Sequence, residues 1–410
     1  MTPTPRAATL LAVVGVAAFV LTPWLSVALA LVVAAAVATD AWSVRRAPRI
    51  ERSVPMTLSR GTPAAVVVSA AADGRIVRLR QPPATALVVD GGEGAGSLAA
   101  TIIGTSRGRH VLPGVAIASL GPLGLARVHH RSGPSVEVRV LTDVAGARRL
   151  ILRLRRTRAG LASGRRLGPL GLGTEFESVR DYTTNDDFRQ LNWRASARLG
   201  RPMSNQYRIE QDREVICLVD CGRLMAAPLA DSTVLDIALD AVTVVALAAD
   251  ELGDRFGAIA FDDAIRRQLA PRHRGGAVAV STLFDLTARP VDSDFEAAVV
   301  RISRSHRAVV FIFTDLLDET AARSMIAAAA VIARRHATFL ATPSDAKLLA
   351  LAADEERPAL SLAALDVLSA RRQAALTLRR LGVQVLEAPP DRLGERCLDA
   401  YLSAKLHALL

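Results

Sequence analysis

The sequence is poor in aromatic residues, lysine and cysteine. Aromatic side chains make up 4% of the 410 residues, and lysine occurs only as Lys347 and Lys405. The three cysteines, Cys217, Cys221 and Cys397, form neither a CxxC pair nor a Cys/His cluster with zinc spacing. An odd and sparse cysteine count argues against a disulfide framework and fits a reducing compartment. We therefore interpret the three cysteines as small buried side chains.

Common nucleotide-binding and catalytic motifs are also missing. No predicted strand is followed by GxGxxG or GxxxxGK[ST], so a nucleotide cradle is not expected. The sequence has no nucleophile elbow, and none of the seven histidines has an obvious Ser or Cys partner. The net charge of +11 is uneven: residues 1–50 carry +3, residues 51–170 carry +12 and residues 171–410 carry −4. Because the excess lies in the front half, we expect no nucleic-acid partner.

A long uncharged run lies near the N-terminus, from Ala7 to Thr39. It is long for one membrane span and short for two, since a span needs about 17–25 residues. Pro23 lies at the centre of the run, where it would break a helix. Arginines on both flanks favour a hairpin with both ends in the cytoplasm. We therefore predict that residues 1–50 form a transmembrane helical hairpin and a basic juxtamembrane segment. This places a multi-pass protein in the inner (cytoplasmic) membrane, with cytoplasmic soluble domains.

The alternative for the same run is a secretory signal cleaved after Ala38, since Ala-Val-Ala at 36–38 resembles a cleavage site. The protein would then be a secreted or cell-envelope binding module. The apolar run is longer than the usual apolar core of a signal peptide, which favours the hairpin.

Residues 51–158 consist of short β-like runs punctuated by Gly and Pro, which predicts a small all-β sandwich domain. In its last run, 148–156, Leu alternates with Arg, so we predict a strand with one basic face. Residues 148–166 hold eight arginines and no acid. This run is either a solvated edge strand guarded by charge or a surface that attracts anionic headgroups.

Residues 213–410 alternate apolar strand-like runs with amphipathic helices, which predicts a doubly wound, mostly parallel α/β domain. Such sheets bind ligands beyond the carboxyl ends of their strands. Two predicted strands end at Asp220 and Asp315. If these strands are neighbours, both carboxylates lie on one rim and form a plausible cation site.

The segment 159–212 concentrates charges and aromatic rings in an extended arm followed by a helix. Thr184 or Asn185 can cap the helix at its N-terminus, and Gly200 can end it in the left-handed conformation. The order GxGxEF, then R-x-Y, then DDxR, then WxxSAR resembles the signature of the bacterial family called "domain of unknown function 58". The matching residues are Gly171, Gly173, Glu175, Phe176, Arg180, Tyr182, Asp186, Asp187, Arg189, Trp193, Ser196, Ala197 and Arg198.

This resemblance implies a von Willebrand factor A-like (Rossmann-like) domain over 213–410 and a membrane-anchored protein. It also implies partners, namely a MoxR-type AAA+ ATPase and other von Willebrand A proteins in chaperone-like systems, but no known reaction. We interpret residues 159–212 as a clamp between the β domain and the sheet domain, in which arginines pair with acids. Tyr182 and Trp193 would be packed anchors. The alternatives are a partner-facing surface and a catalytic carboxylate pair.

The resemblance also implies a degenerate metal site. A von Willebrand A domain that binds Mg²⁺ presents DxSxS after its first strand, with a Thr and an Asp on later loops. Here Gly222 and Leu224 stand at the two hydroxyl positions after Asp220, while Asp315 matches the last Asp. The Thr position falls near Ser293 or Asp294. Because Mg²⁺ needs a nearly complete set of oxygen ligands, we expect no metal and no other cofactor. Arg223 is a candidate to neutralise the two carboxylates instead.

We therefore predict a non-enzymatic, membrane-anchored cytoplasmic adaptor that docks a AAA+ ATPase and acts in protein maturation or assembly. The competing hypotheses are a metal-dependent hydrolase that uses the Asp220/Asp315 rim and the secreted or envelope module. The missing hydroxyl ligands and the absence of a nucleophile weigh against the hydrolase.

Overall fold

The structure is a computed structural model that describes residues 2–17, 23–71, 75–162, 170–183, 191–208, 213–302, 307–315 and 319–406. The chain divides into two compact units, Met1–Leu141 and Thr142–Leu410. The mixed α/β fold expected from the sequence is confirmed, with several sheets and with helices in both units.

The first unit consists mainly of short strands around one apolar core. Its elements are β1 Thr2–Pro3, α1 Pro5–Ala17, α2 Pro23–Ser43, β2 Ile50–Ser53, β3 Thr57–Ser59, β4 Pro63–Ala70, β5 Ile76–Arg80, β6 Leu87–Asp90, β7 Glu93–Ala95, β8 Ser97–Gly104, β9 Gly108–Leu112, β10 Val115–Leu120, β11 Ala126–Ser132 and β12 Val136–Leu141. In the described residues the strands form three sheets, ordered β1-β11-β10-β5-β7, β2-β4-β8-β6 and β3-β12-β9. Alternate residues of several strands, such as Val66, Ile117 and Val140, point into a common core.

The two N-terminal helices differ from the predicted transmembrane hairpin. With 13 residues, α1 is about 20 Å long at 1.5 Å per residue, whereas the hydrocarbon core of a bilayer is about 30 Å thick. The end of α2 is held by the strands, because the buried Asp40 carboxylate accepts bonds from the backbone N–H groups of Leu123, Leu125 and Ala126 at 2.7–2.9 Å. Among the described residues, no helix combines the length and the apolar character needed to cross a membrane. The predicted hairpin is therefore not supported.

The second unit is an open sheet with helices on both faces. Its elements are α3 Val144–Ala162, β13 Leu170–Asp181, α4 Trp193–Leu199, β14 Met203–Arg208, β15 Glu214–Asp220, β16 Pro228–Leu229, β17 Ser232–Thr233, α5 Val234–Glu251, β18 Arg255–Phe261, β19 Ile265–Arg272, α6 Gly275–Leu283, α7 Phe295–Ile302, β20 Ala308–Phe313, α8 Glu319–Ala333, β21 Ala337–Pro343, α9 Ala346–Ala352, α10 Pro358–Arg380, β22 Gln384–Ala388 and α11 Leu393–Leu406. Six of the described strands form its main sheet, in the order β19-β18-β15-β20-β21-β22.

All neighbouring strands of this sheet are parallel except the edge pair β18–β19. The central strand β15 is buried on both faces, which explains its continuous apolar run. Val215, Cys217 and Val219 face a core with α5, α6 and α11. Ile216 and Leu218 face a second core with α7, α8 and α10. The three cysteines are buried thiols, as expected.

The basic run that we predicted as a strand is instead part of the helix α3, Val144–Ala162. Ala147, Leu150 and Ile151 have helical spacing and contact the core of the second unit beside α5. The strand prediction was wrong because the Leu/Arg alternation is short, whereas the apolar positions just before it recur with a helical period. Since α3 contacts α5, the structure divides the chain before this helix rather than at 158.

Candidate functional site

The ends of β15 and β20 place two carboxylates on one rim of the sheet. These strands are parallel neighbours, with Val219 opposite Phe313. Asp220 ends β15, and Asp315 lies two residues beyond β20. Their residues are 3% and 5% exposed, and both line a cleft with a volume of about 20 Å³. A cleft of this size holds about one water molecule.

Protein donors surround the Asp220 carboxylate. Its Oδ1 atom accepts bonds from the backbone N–H of Gly222 at 2.8 Å and from the Ser293 hydroxyl, while Oδ2 accepts one from the Thr314 hydroxyl at 2.6 Å. Burial raises the pKa of Asp220, the three hydrogen bonds oppose this shift, and the nearby Asp262 adds to it. The sequence left Ser293 and Asp294 open for one of these positions, and the structure gives Ser293. Thr314 went unnoticed because a Thr at a strand end is common.

Asp315 is bound by an arginine from a distant part of the chain. Arg371, in α10, is 8% exposed, and its Nη2 atom donates to Asp315 Oδ1 at 2.6 Å. The guanidinium therefore supplies the positive charge that a cation would bring to this carboxylate. Arg223, which we expected in this role, is exposed and donates to Asp292 instead.

The residues present do not fit a magnesium ion. A side chain at Gly222 would place its Cβ 2.2 Å from Ser293 Oγ and 2.8 Å from the Val291 carbonyl oxygen. Leu224 brings no oxygen ligand, and Asp315 already binds a guanidinium. Mg²⁺ requires near-octahedral oxygen coordination. Within the described ranges, no group of three or more His, Cys, Asp or Glu side chains is arranged to hold a metal.

The signature residues of 171–198 are divided between a strand pair and a short helix. β13 pairs antiparallel with β14 and contains Gly171, Gly173, Glu175, Phe176 and Arg180. Tyr182 follows β13, and its backbone N–H donates to the Pro202 carbonyl at 3.0 Å. α4 contains Trp193, Ser196, Ala197 and Arg198. Asp186, Asp187 and Arg189 lie outside the described residues, as do the expected helix caps Thr184 and Asn185.

Side-chain bonds attach α4 to β14. Asn192 caps the helix by accepting a bond from the Ala195 N–H at 2.9 Å. The Ser196 hydroxyl donates to the Asn192 carbonyl and accepts from the Met203 N–H, both at 2.8 Å. Gly200 ends the helix in the left-handed region at φ 66°, as predicted. Ser196 thus has a structural role in the described segment.

Two other contacts of the predicted clamp differ from those that we expected. Trp193 is 64% exposed, so it is not the packed anchor that we predicted. Asp181 pairs with Arg201 at 3.3 Å, an arginine that we had not included, while Arg180 donates to the Asp181 carbonyl at 3.0 Å. The clamp interpretation stays a prediction, because three of its eight charged residues, Asp186, Asp187 and Arg189, lie outside the described ranges.

A family model described as "Protein of unknown function DUF58" matches residues 178–361. This match confirms the resemblance to DUF58 over residues 178–361. The matched range includes Asp220, Gly222, Leu224 and Asp315, whereas Arg371 lies beyond it. No curated protein matches the chain.

Proposed function

We propose that this protein is a non-enzymatic adaptor that docks a protein partner at the carboxyl-end rim of its main sheet. The buried Asp315–Arg371 pair is the observation that carries this proposal. It gives the rim its own positive charge in place of a metal, so the rim suits recognition better than metal-assisted hydrolysis. Arg223 and Asp292 pair with each other beside the cleft, and because both are exposed, a partner can reach charges of both signs there.

The strand order supports the choice of this rim. Numbered along the chain from β15, the main sheet has the order 3-2-1-4-5-6. In open α/β sheets ligands bind where the strand order reverses, beyond the carboxyl ends of the strands. This point lies between β15 and β20, and therefore beside Asp220 and Asp315. We infer a von Willebrand factor A-like domain with an altered metal site.

The partner that we propose is a MoxR-type AAA+ ATPase, acting with other von Willebrand A proteins in protein maturation or assembly. The resemblance of the DUF58 signature supports this choice. We also propose a position at the cytoplasmic face of the inner membrane. Its support is the exposed apolar surface of α1 and α2, where Val16 is 68% and Trp24 is 85% exposed, because large exposed apolar patches mark interaction sites.

Crosslinking of the tagged full-length protein in cells tests the adaptor role. We expect mass spectrometry to identify a AAA+ ATPase with the wild-type protein and to show its loss with R223E at the rim. R267E is the matched control, because Arg267 is an exposed arginine on the edge strand β19. Equal recovery of the ATPase with R223E and R267E, or no AAA+ ATPase under any growth condition, contradicts the proposal.

A further inference from the structure

The first unit contains an open trough on the outer face of the sheet β1-β11-β10-β5-β7. Its volume is about 740 Å³, within the usual range of about 300–1,000 Å³ for ligand sites. The residues that form its floor and walls are Ala116 and Ala118 of β10, Arg78 and Arg80 of β5, and His129 and Arg131 of β11.

The strand register explains the shape of the trough. Ala116 lies opposite Arg80 on one side and Arg131 on the other. Two residues along, the pattern repeats with an alanine flanked by an arginine and a histidine. The strands β5 and β11, which flank β10, are about 10 Å apart. The row of side chains across Ala116 and the row across Ala118 are about 7 Å apart along the strand. The small alanine side chains leave the space between the two basic walls open.

The trough is positively charged, and its one acidic side chain forms a weak, exposed ion pair. Glu93 is the single acidic residue among the described residues that line it, against three arginines. It pairs with Arg80 at 3.3 Å, but both side chains are exposed, and such pairs exchange easily for another anion. No Phe, Tyr or Trp lines the described part of the trough, whereas proteins that bind single-stranded nucleic acid usually stack bases on such rings.

We propose that this trough binds the phosphate groups of anionic phospholipids at a membrane surface. The planar guanidinium groups of Arg78, Arg80 and Arg131 match phosphate oxygens, and opposite walls can hold one phosphate from two sides. The same compact unit carries the exposed apolar residues of α1 and α2. A combination of apolar and arginine side chains is typical of interfacial membrane binding. This inference rests on the proposed membrane position but not on the adaptor role.

Vesicle sedimentation of the full-length protein tests the proposal. We expect stronger binding to phosphatidylcholine vesicles that contain phosphatidylglycerol than to phosphatidylcholine alone, and weaker binding as salt is raised. The double variant R78Q/R131Q should lose anionic-vesicle binding by on the order of tenfold. The matched control is R109Q/R139Q, because these arginines face each other as exposed neighbours on β9 and β12, in another sheet of the same unit.

Three results would overturn the inference. One is equal binding of the wild-type protein to the anionic and the neutral vesicles. Another is the same loss in both double variants, which would show a general charge effect. The third is binding of a polyglutamate peptide without preference for anionic vesicles, which would assign the trough to an acidic protein segment. ATPase capture tests the adaptor role separately, so the two failures are distinguishable.

Discussion

Arg371 is the side chain that sets the chemistry of the rim. It joins α10 to the end of β20 through a buried pair with Asp315. A buried carboxylate that loses the arginine bound to it remains desolvated, which is costly. We therefore expect R371A to lower the free energy of unfolding by about 3–5 kcal/mol.

Urea denaturation measures this loss. The control is R372A, because Arg372 is the exposed neighbour of Arg371 on the same helix and should change stability by less than about 0.5 kcal/mol. Equal losses of stability in R371A and R372A would contradict a stabilising role of the buried Asp315–Arg371 pair.

Asp220 gives the rim a predictable pH dependence. Burial raises its pKa above the ordinary 3.8, so the folded protein binds this proton more tightly than the unfolded chain does. The resulting stabilisation is complete below the unfolded pKa and is lost as pH rises through the folded pKa. We expect the neutral variant D220N to gain stability relative to the wild type over this range, as followed by urea unfolding. A difference that stays constant with pH would contradict the burial of an ionisable Asp220.

The sequence identified part of this site. Asp220 and Asp315 were predictable, because each follows an apolar run long enough for a buried strand. The role of Arg371 was not predictable, because an arginine within an amphipathic helix is usually solvent-exposed. In addition, Arg371 is distant in sequence from Asp315, and nothing in the sequence indicates their contact. The lack of space for a side chain at Gly222 was likewise not predictable, because only the folded chain brings the Ser293 hydroxyl and the Val291 carbonyl near it.

Among the elements, those of the main sheet were the most predictable. Continuous apolar runs predict its buried strands, and long amphipathic patterns predict the helices that cover it. In contrast, α6 and α9 are short and went unpredicted. The run around 148–156 contains Leu and Arg in an order that fits a strand and a helix equally well over four residues. Packing of α3 beside α5 decides the outcome.

The position of α3 yields a test at this scale. Ala147 is buried in the core beside α5, whereas Arg148 is exposed. A147D should destabilise the second unit by more than about 2 kcal/mol, because it buries an unpaired charge, while R148D should cost little. Thermal unfolding of both variants measures the difference. Equal stability would contradict the packing of α3.

On the scale of the whole second unit, side chains of the last helix, α11, bind the residue just before the inner strand β18. The buried Asp254 carboxylate, just before β18, accepts bonds from Lys405 Nζ at 2.6 Å and from the Tyr401 hydroxyl. Burial and the Asp254 charge raise the pKa of Tyr401 well above its ordinary value, which keeps this hydroxyl protonated as a donor.

The two lysines of the chain provide a matched pair for this contact. K405A should lower the free energy of unfolding by about 3–5 kcal/mol, because it leaves Asp254 buried without its cation. K347A should be nearly neutral, because Lys347 is exposed. Chemical denaturation compares them, and a K405A variant as stable as K347A would refute the structural role of this contact.

Calorimetric titration of Mg²⁺ into the full-length protein tests most directly whether the rim is a docking surface or a metal centre. Because Arg371 holds Asp315 and protein donors surround Asp220, we predict no heat beyond that of dilution. A micromolar Mg²⁺ site that disappears in D220A would contradict the adaptor interpretation and restore metal-dependent chemistry at this rim.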